Sequence, residues 1–396
     1  MTEVQTAMHL VFWLSLFGLA YALVGYPFVI GLLNRIGGKN DSSEGNPAEA
    51  EDSMISFLLV AADEEDRIEA RLRNLDSCRC LFRREIVLVC DGSTDATAER
   101  ARSLDLGIPL HVVERTERRG KPSGLNAAVE VAAGDLLVFA DARQRFDEEA
   151  VEKLVDALLS EADAAAVSGN LEIEPSADGA GAGMDAYWRL EKWIRNEEAK
   201  WDSVIGCTGA IYAMWKDDYR EIPEDTLIDD VFVPMQALVR KRRILFEPQA
   251  KAYDPQALDP VHESRRKTRT LAGNYQLFFR YPAWLLPWKN RCWWQLISHK
   301  YARLAGPWLL IACLISSVFL AASSSFFQAV VVTQGACYLL AAAGFLFPGV
   351  KLPLLTIPSG FLFLQWQSVR ALGMYLALRG EKVGGAWSSG TPSNTP

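Results

Sequence analysis

Half of this 396-residue chain is apolar, enough to fill two ordinary domains, but the apolar residues gather at its two ends. The formal charge of -8 is dispersed through the middle, which argues against nucleic acid as a partner. Its 7 cysteines lack the paired Cys/His spacing of a zinc site and read as reduced thiols.

Residues 8–33, MHLVFWLSLFGLAYALVGYPFVIGLL, carry no Asp, Glu, Lys or Arg. At about 1.5 Å per residue a helix of that length exceeds a hydrocarbon core of roughly 30 Å, which predicts a transmembrane anchor over residues 1–36. No basic residue precedes it and no small-residue cleavage site stands out, so it reads as an anchor rather than a signal peptide. Arg35 and Lys39 follow it and only Glu3 comes before, which places the middle of the chain in the cytoplasm of a cell-membrane protein. Residues 37–52 are polar and turn-rich and read as a linker.

From residue 53 apolar, β-rich runs alternate with amphipathic patterns. MISFLLVAA, EIVLVCDG, PLHVVER and DLLVFADA read as strands; DRIEARLRNL, DATAERARSL and GLNAAVEVAA read as the helices between them. That alternation is the pattern of parallel strands joined by crossovers, and strands this apolar are covered by helices on both faces. Open α/β sheets bind ligands beyond the carboxyl ends of their strands. Three of those ends carry acids, in VAADEE, CDGSTD and FADAR, so Glu64, Asp91 and Asp141 are expected to border one crevice. Asp95 reads instead as a cap for the helix behind it. The basic, glycine-bearing loop RTERRGKPSG opens a helix, a setting in which Lys121 can face an anion.

Further on, IGCTGAIYAMW (205–215) is a strand with a tight glycine bend. EDTLIDDVFVPMQAL opens a helix with Asp229 and Asp230, which suit a helix N-terminus as negative charges. Arg265, Arg266, Lys267 and Arg269 form a juxtamembrane basic cluster of the kind drawn to anionic lipid. Trp284, Trp288, Trp293 and Trp294 suit helices lying at a bilayer surface over residues 259–302; a buried aromatic core is the other reading. Stretches 304–324, 326–347 and 352–378 bring the expected spans to four, with C-terminal transmembrane helices over 303–380 and a polar tail over 381–396.

In this order the stretches resemble the family 2 inverting glycosyltransferases, especially the membrane-bound branch of cellulose, hyaluronan and poly-N-acetylglucosamine synthases. The resemblance covers roughly residues 53–280. VAADEED is similar to the family's first-strand motif with Asp63 in place of Asn, and CDGSTD to its nucleotide motif with Cys90 in place of the first Asp. It implies a GT-A-like catalytic domain over 53–258, a doubly wound, mostly parallel α/β sheet, joined to transmembrane and interfacial helices. It also implies that Glu64 and Asp91 contact the uridine end of a UDP-sugar and that Lys121 and Asn126 line the nucleotide pocket. FADAR takes the place of the Asp-x-Asp metal motif, so Asp141 becomes the implied ligand of Mg2+ or Mn2+, weakly held because Arg143 removes a carboxylate. Arg143 either neutralises diphosphate or faces solvent.

By the same resemblance Thr208, Gly209 and Asp229 shape the acceptor site, and Asp230 is the general base that an inverting transfer requires. Aligning HESRRKTRTLAGNYQ on Arg269 and Gly273 with the synthases' Gln-x-x-Arg-Trp motif puts Arg266 at the Gln and Thr270 at the Trp. Arg266 and Arg269 then fall to the donor diphosphate and Thr270 to the acceptor. Without the aromatic platform two activities stay open. One is transfer from a UDP-sugar to a saccharide in polysaccharide synthesis, and the other a single transfer to a polyprenyl-phosphate or other lipid. A non-catalytic scaffold that kept the fold is a third reading, for which Arg143 and Cys90 speak. The implied partners are the donor, a saccharide or lipid-linked acceptor and the bilayer; no partner subunit is named by the sequence.

Overall fold

The computed structural model describes residues 2–37, 53–173, 182–254, 260–350 and 352–378. Most of the predicted linker and the whole polar tail lie outside the described residues. The chain opens with α1 (Glu3–Ala20), a short π-helical turn and α2 (Tyr26–Gly37), a continuous apolar rod. Then follow β1 (Met54–Ala61), α3 (Ile68–Ser77), β2 (Arg83–Asp91), α4 (Thr97–Arg102), β3 (Leu110–Arg115), α5 (Lys121–Val131) and β4 (Leu136–Ala140). The domain continues through β5 (Arg145–Phe146), α6 (Ala150–Leu159), β6 (Ala164–Ile173), α7 (Ala182–Trp201), β7 (Ile211–Trp215), α8 (Asp229–Leu238) and β8 (Arg243–Asp254). It ends with α9 (Pro260–Arg280), α10 (Trp293–Gln295), α11 (Ala302–Ala321), α12 (Ser325–Leu346) and α13 (Pro353–Leu378).

Eight strands form one sheet in the order β3-β2-β1-β4-β7-β6-β8-β5. β1 pairs in parallel with β2 on one side and β4 on the other, while β7 runs antiparallel to both β4 and β6. The doubly wound, mostly parallel sheet is therefore present, and its direction of winding reverses between β1 and β4, where such sheets open a crevice. Ile55, Phe57, Leu59 and Ala61 of β1 pack on one side with Leu72, Leu75 and Val151, and Leu58 packs on the other with Leu125 and Ala128. Burial on both faces is why these strands read as apolar runs without polar alternation. Cys90 points into the first of these layers and is fully buried, so it presents nothing to the crevice.

Among the described residues three helices are long and apolar enough to cross a membrane: Glu3–Gly37, Trp293–Ala321 and Ser325–Leu346. The sequence reading counted four. α13, the fourth, is a 26-residue helix interrupted by Gln365, Gln367 and Arg370, and these polar positions have a use. Gln367 accepts from Thr268 Oγ1 at 2.5 Å and donates to Ser264 Oγ at 2.8 Å, both on α9. Of the four tryptophans expected at a bilayer surface, Trp284 is instead core, 5% exposed and packed against Phe232 and Tyr281. Trp288 is exposed, and Trp294 donates to the Tyr21 hydroxyl at 2.8 Å.

The N-terminal rod is tied to the α/β domain by polar contacts. Tyr26 donates to Glu198 Oε1 at 2.5 Å, and Asn34 donates to the Glu197 carbonyl at 2.8 Å. Glu198 also receives His299 Nδ1 at 2.9 Å, so one buried carboxylate joins α2, α7 and the start of the second apolar span.

Candidate active site

At the end of β2, Asp91 is buried, and its two oxygens accept the N–H groups of Arg119 at 3.1 Å and Gly120 at 2.7 Å. The Arg115 guanidinium stands 3.6 Å away. These contacts fix the loop that starts α5 and hold Asp91 to the backbone beneath the crevice. Asn126 is bound in a similar way: its carbonyl accepts from the Tyr219 hydroxyl and Ile222 N–H, and its amide donates to the Ile222 carbonyl. Glu64 pairs with Arg67 at 3.0 Å beyond β1. Beside it Asp63, in a left-handed conformation (φ 54°), accepts the Thr94 N–H at 2.8 Å and pairs with Arg118. Burial works against its charge, but the Thr94 bond and the guanidinium hold its carboxyl below the usual range. Asp95, expected as a cap, stands one residue before the Ala96 N-cap of α4 and accepts the Thr97 N–H at 3.0 Å.

The loop held by Asp91 delivers Lys121 as the first residue of α5. Its ammonium lies 2.6 Å from Asp141 Oδ1, at the end of β4, and 3.4 Å from Asp229 Oδ2, at the start of α8. Burial alone would discharge the amine, but the carboxylates of Asp141 and Asp229 outweigh it and hold the pKa above its ordinary value. Asp230 follows Asp229 on the first turn of α8, and burial, then the Asp229 charge, pushes its carboxyl up to about 6. Two carboxylates, one from β4 and one from α8, thus hold one ammonium from α5.

The predicted acceptor segment lies against this cluster. The Cys207 N–H donates to the Asp230 carbonyl at 2.7 Å, and a Cβ placed on Gly209 would come within 3.1 Å of Asp230 Oδ2. A side chain there would press on the carboxylate, which would have to give by a few tenths of an ångström. Gly209→Val is expected to push Asp230 aside and lower turnover about 10- to 100-fold, since misplacing a reacting group by about 1 Å costs that much; comparing kcat with that of the parent chain checks it. Thr208 accepts from Arg195 at 2.6 Å, and Arg195 also donates to Ser168 at 2.7 Å.

α9 closes the other side. A Cβ on Gly273 would meet Ile228, the residue before Asp229, at 2.7 Å, so the helix seats directly on the start of α8. Arg266, Arg269 and Gly273 share a helical stripe, which carries both arginines along the same edge. Arg266 reaches Asp254 at 3.4 Å, and Asp254 receives Arg143 at 2.5 Å. Arg143 is thus partly exposed and paired with Asp254. Thr270 is exposed and donates to the Arg266 carbonyl at 3.1 Å.

Sequence reasoning passed over Asp254 and Arg195. Asp254 ends an alternating run, AKAYD, and the same rule of acids at strand ends would have flagged it. Arg195 stands in a charged helix with nothing local to mark it.

The fit of a divalent ion can be judged from these contacts. Asp141 is bonded to an ammonium, Arg143 supplies a guanidinium where a second carboxylate would stand, and among the described residues no three His, Cys, Asp or Glu side chains form a ligand set. The residues do not fit the Mg2+ or Mn2+ that the resemblance implied.

Comparison with known proteins agrees with this geometry. The family model for glycosyl transferase family 2 matches residues 56–222. A poly-beta-1,6-N-acetyl-D-glucosamine synthase of Staphylococcus aureus is 25% identical over 232 residues, 57% of this chain and 56% of the synthase. The matched region thus spans little more than half of that relative. A dolichol-phosphate mannosyltransferase of Pyrococcus furiosus is 30% identical over 111 residues, 28% of this chain and 32% of the enzyme. Among solved structures, a mannosyltransferase from Pyrobaculum calidifontis in complex with GDP-Man and Mn2+ superposes with a TM-score of 0.68 at 20% identity, covering 93% of this chain and 99% of that one. That likeness extends the shared fold past the sheet to the apolar helices. In its strand order, its strand-end acids and the match over residues 56–222, the α/β domain of this chain is similar to glycosyl transferase family 2.

Proposed function

We propose that the protein is a membrane-embedded inverting glycosyltransferase that moves a sugar from a UDP-sugar to a saccharide acceptor, with its catalytic domain on the cytoplasmic side. The observation that carries this reading is Asp230, a half-buried carboxyl pushed up to about 6, next to Asp229, whose Oδ2 lies 3.4 Å from the Lys121 ammonium, at the junction of donor-side and acceptor-side elements. A base with a pKa near the working pH is deprotonated yet still basic enough to take a proton from a hydroxyl. Asp230 takes the acceptor proton as the acceptor oxygen attacks the anomeric carbon. Lys121 and Arg269 meet the charge of the departing diphosphate. Asp91 and Asn126 serve by holding the α5 loop and the 219–222 segment in place. Thr208 and Gly209 shape the acceptor side, with Arg195 fixing the Thr208 hydroxyl.

Because the base must be ionised, kcat/KM is expected to fall as pH drops through about 6 and to level off above it. A pH-rate profile of the parent chain with a limb far from that value would remove the base assignment. The reaction itself is tested by incubating membranes holding the full chain with a panel of UDP-sugars and analysing products. Polymer or extended oligosaccharide supports the saccharide acceptor; no transfer from any UDP-sugar sinks the donor assignment.

A second reading, a single transfer to a lipid-linked acceptor, is favoured by Arg266 and Thr270, which stand at the synthases' Gln and Trp. The partial match to a dolichol-phosphate mannosyltransferase points the same way. A one-sugar lipid as sole product would select it.

A further inference from the structure

The donor side of the cleft is organised around an ammonium. Lys121 Nζ lies 2.6 Å from Asp141 and 3.4 Å from Asp229, and the Asp229 Oδ2 that faces it is buried with no hydrogen-bond partner. Arg143, two residues past Asp141, gives its guanidinium to Asp254, which Arg266 also approaches. Two groups of charges thus stand here, Lys121 with Asp141 and Asp229, and Arg143 and Arg266 with Asp254. A divalent ion on Asp141 would have to displace the lysine from a carboxylate pair that keeps it charged.

We propose that Lys121 is the catalytic cation of this cleft, that Asp141 and Asp229 are its positioning residues, and that sugar transfer proceeds without a bound metal ion. This rests on the glycosyl-transfer reading above. In the transfer, a bond forms between the acceptor oxygen and the anomeric carbon, and the bond from that carbon to the β-phosphate oxygen breaks. The electron pair leaves with that oxygen as nucleoside diphosphate, and the acceptor proton passes to Asp230. New negative charge arises on the β-phosphate oxygen, where an ammonium with three N–H donors can meet it. Its place on Asp141 and Asp229 aims it before the donor arrives, so little reorganisation is needed as the bond breaks.

The test uses the full chain in membranes, supplied with UDP-sugars and assayed for UDP release and transfer in excess EDTA and in excess Mn2+. The proposal expects the two rates to agree within about twofold. Lys121→Met should lose about 10²–10³-fold in both, as for removal of one charge-stabilising donor, and Lys121→Arg should recover part of that loss. Independently of turnover, Mn2+ titrated into the purified chain with UDP and followed by paramagnetic resonance should show no bound ion that Asp141→Asn removes. Activity that vanishes in EDTA and returns with Mn2+, or a Mn2+ site lost in Asp141→Asn, overturns the proposal and leaves the transferase reading standing. No turnover in either condition overturns the transferase reading, and this proposal with it.

Discussion

Asp230→Asn is expected to lower kcat about 10²–10⁴-fold, the usual contribution of a positioned base, with the donor KM changed only a few-fold. The amide matches the carboxylate in shape, so the turn at 205–209 that closes on it should keep its form. It cannot take a proton. Burial and the neighbouring Asp229 already disfavour charge at this position, so a neutral side chain should leave thermal stability equal or higher. Loss of turnover together with undiminished stability separates a chemical role from a structural one. The acid limb near pH 6 should vanish from whatever activity remains. If Asp230→Asn turns over like the parent, the base lies elsewhere and the proposed mechanism falls. Asp229→Asn should do less harm, because Asp229 holds Lys121 and transfers no proton.

Glu198→Ala should have the largest effect on stability, about 3–5 kcal/mol, as when a buried hydrogen-bonded acid is removed from its partners. Its carboxylate is fully buried between the Tyr26 hydroxyl and His299 Nδ1, and alanine leaves both polar groups without their acceptor. Thermal unfolding of the detergent-solubilised chain measures the loss, and Glu198→Gln, which can still accept, should recover part of it. A change below about 1 kcal/mol would show that the carboxylate's bonds contribute nothing net. Activity should fall too. Glu191, Arg195 and Glu198 share one face of α7, and Arg195 holds Thr208 next to Gly209 and Asp230. The anchor and the acceptor side are thus linked through a single helix.

Much of the domain was legible because its strands are buried on both faces and punctuated by acids. A run such as DLLVFADA has one reading as a strand and one place for its final Asp, at the carboxyl edge of the sheet. Lys121 was legible for the same reason, as the first residue after a glycine loop that opens a helix. The reading failed where a residue's role depends on a partner far away in the chain. Trp284 looked like a membrane-surface residue because its neighbours are basic and aromatic, yet Phe232 and Tyr281 enclose it. α13 read as a span, yet it falls outside the three helices apolar enough to cross a membrane, and its Gln367 bonds α9.

By itself the sequence determined the α/β alternation, the apolar ends and the edge of the sheet on which the chemistry would collect, since periodicity and strand-end polarity are local properties. Only the tertiary structure decided the electrostatics. That Asp229 joins Asp141 on the Lys121 ammonium, and that Asp254 takes the Arg143 guanidinium, depends on side chains more than a hundred residues apart meeting within about 4 Å, where the energy of a charge is set by burial and distance.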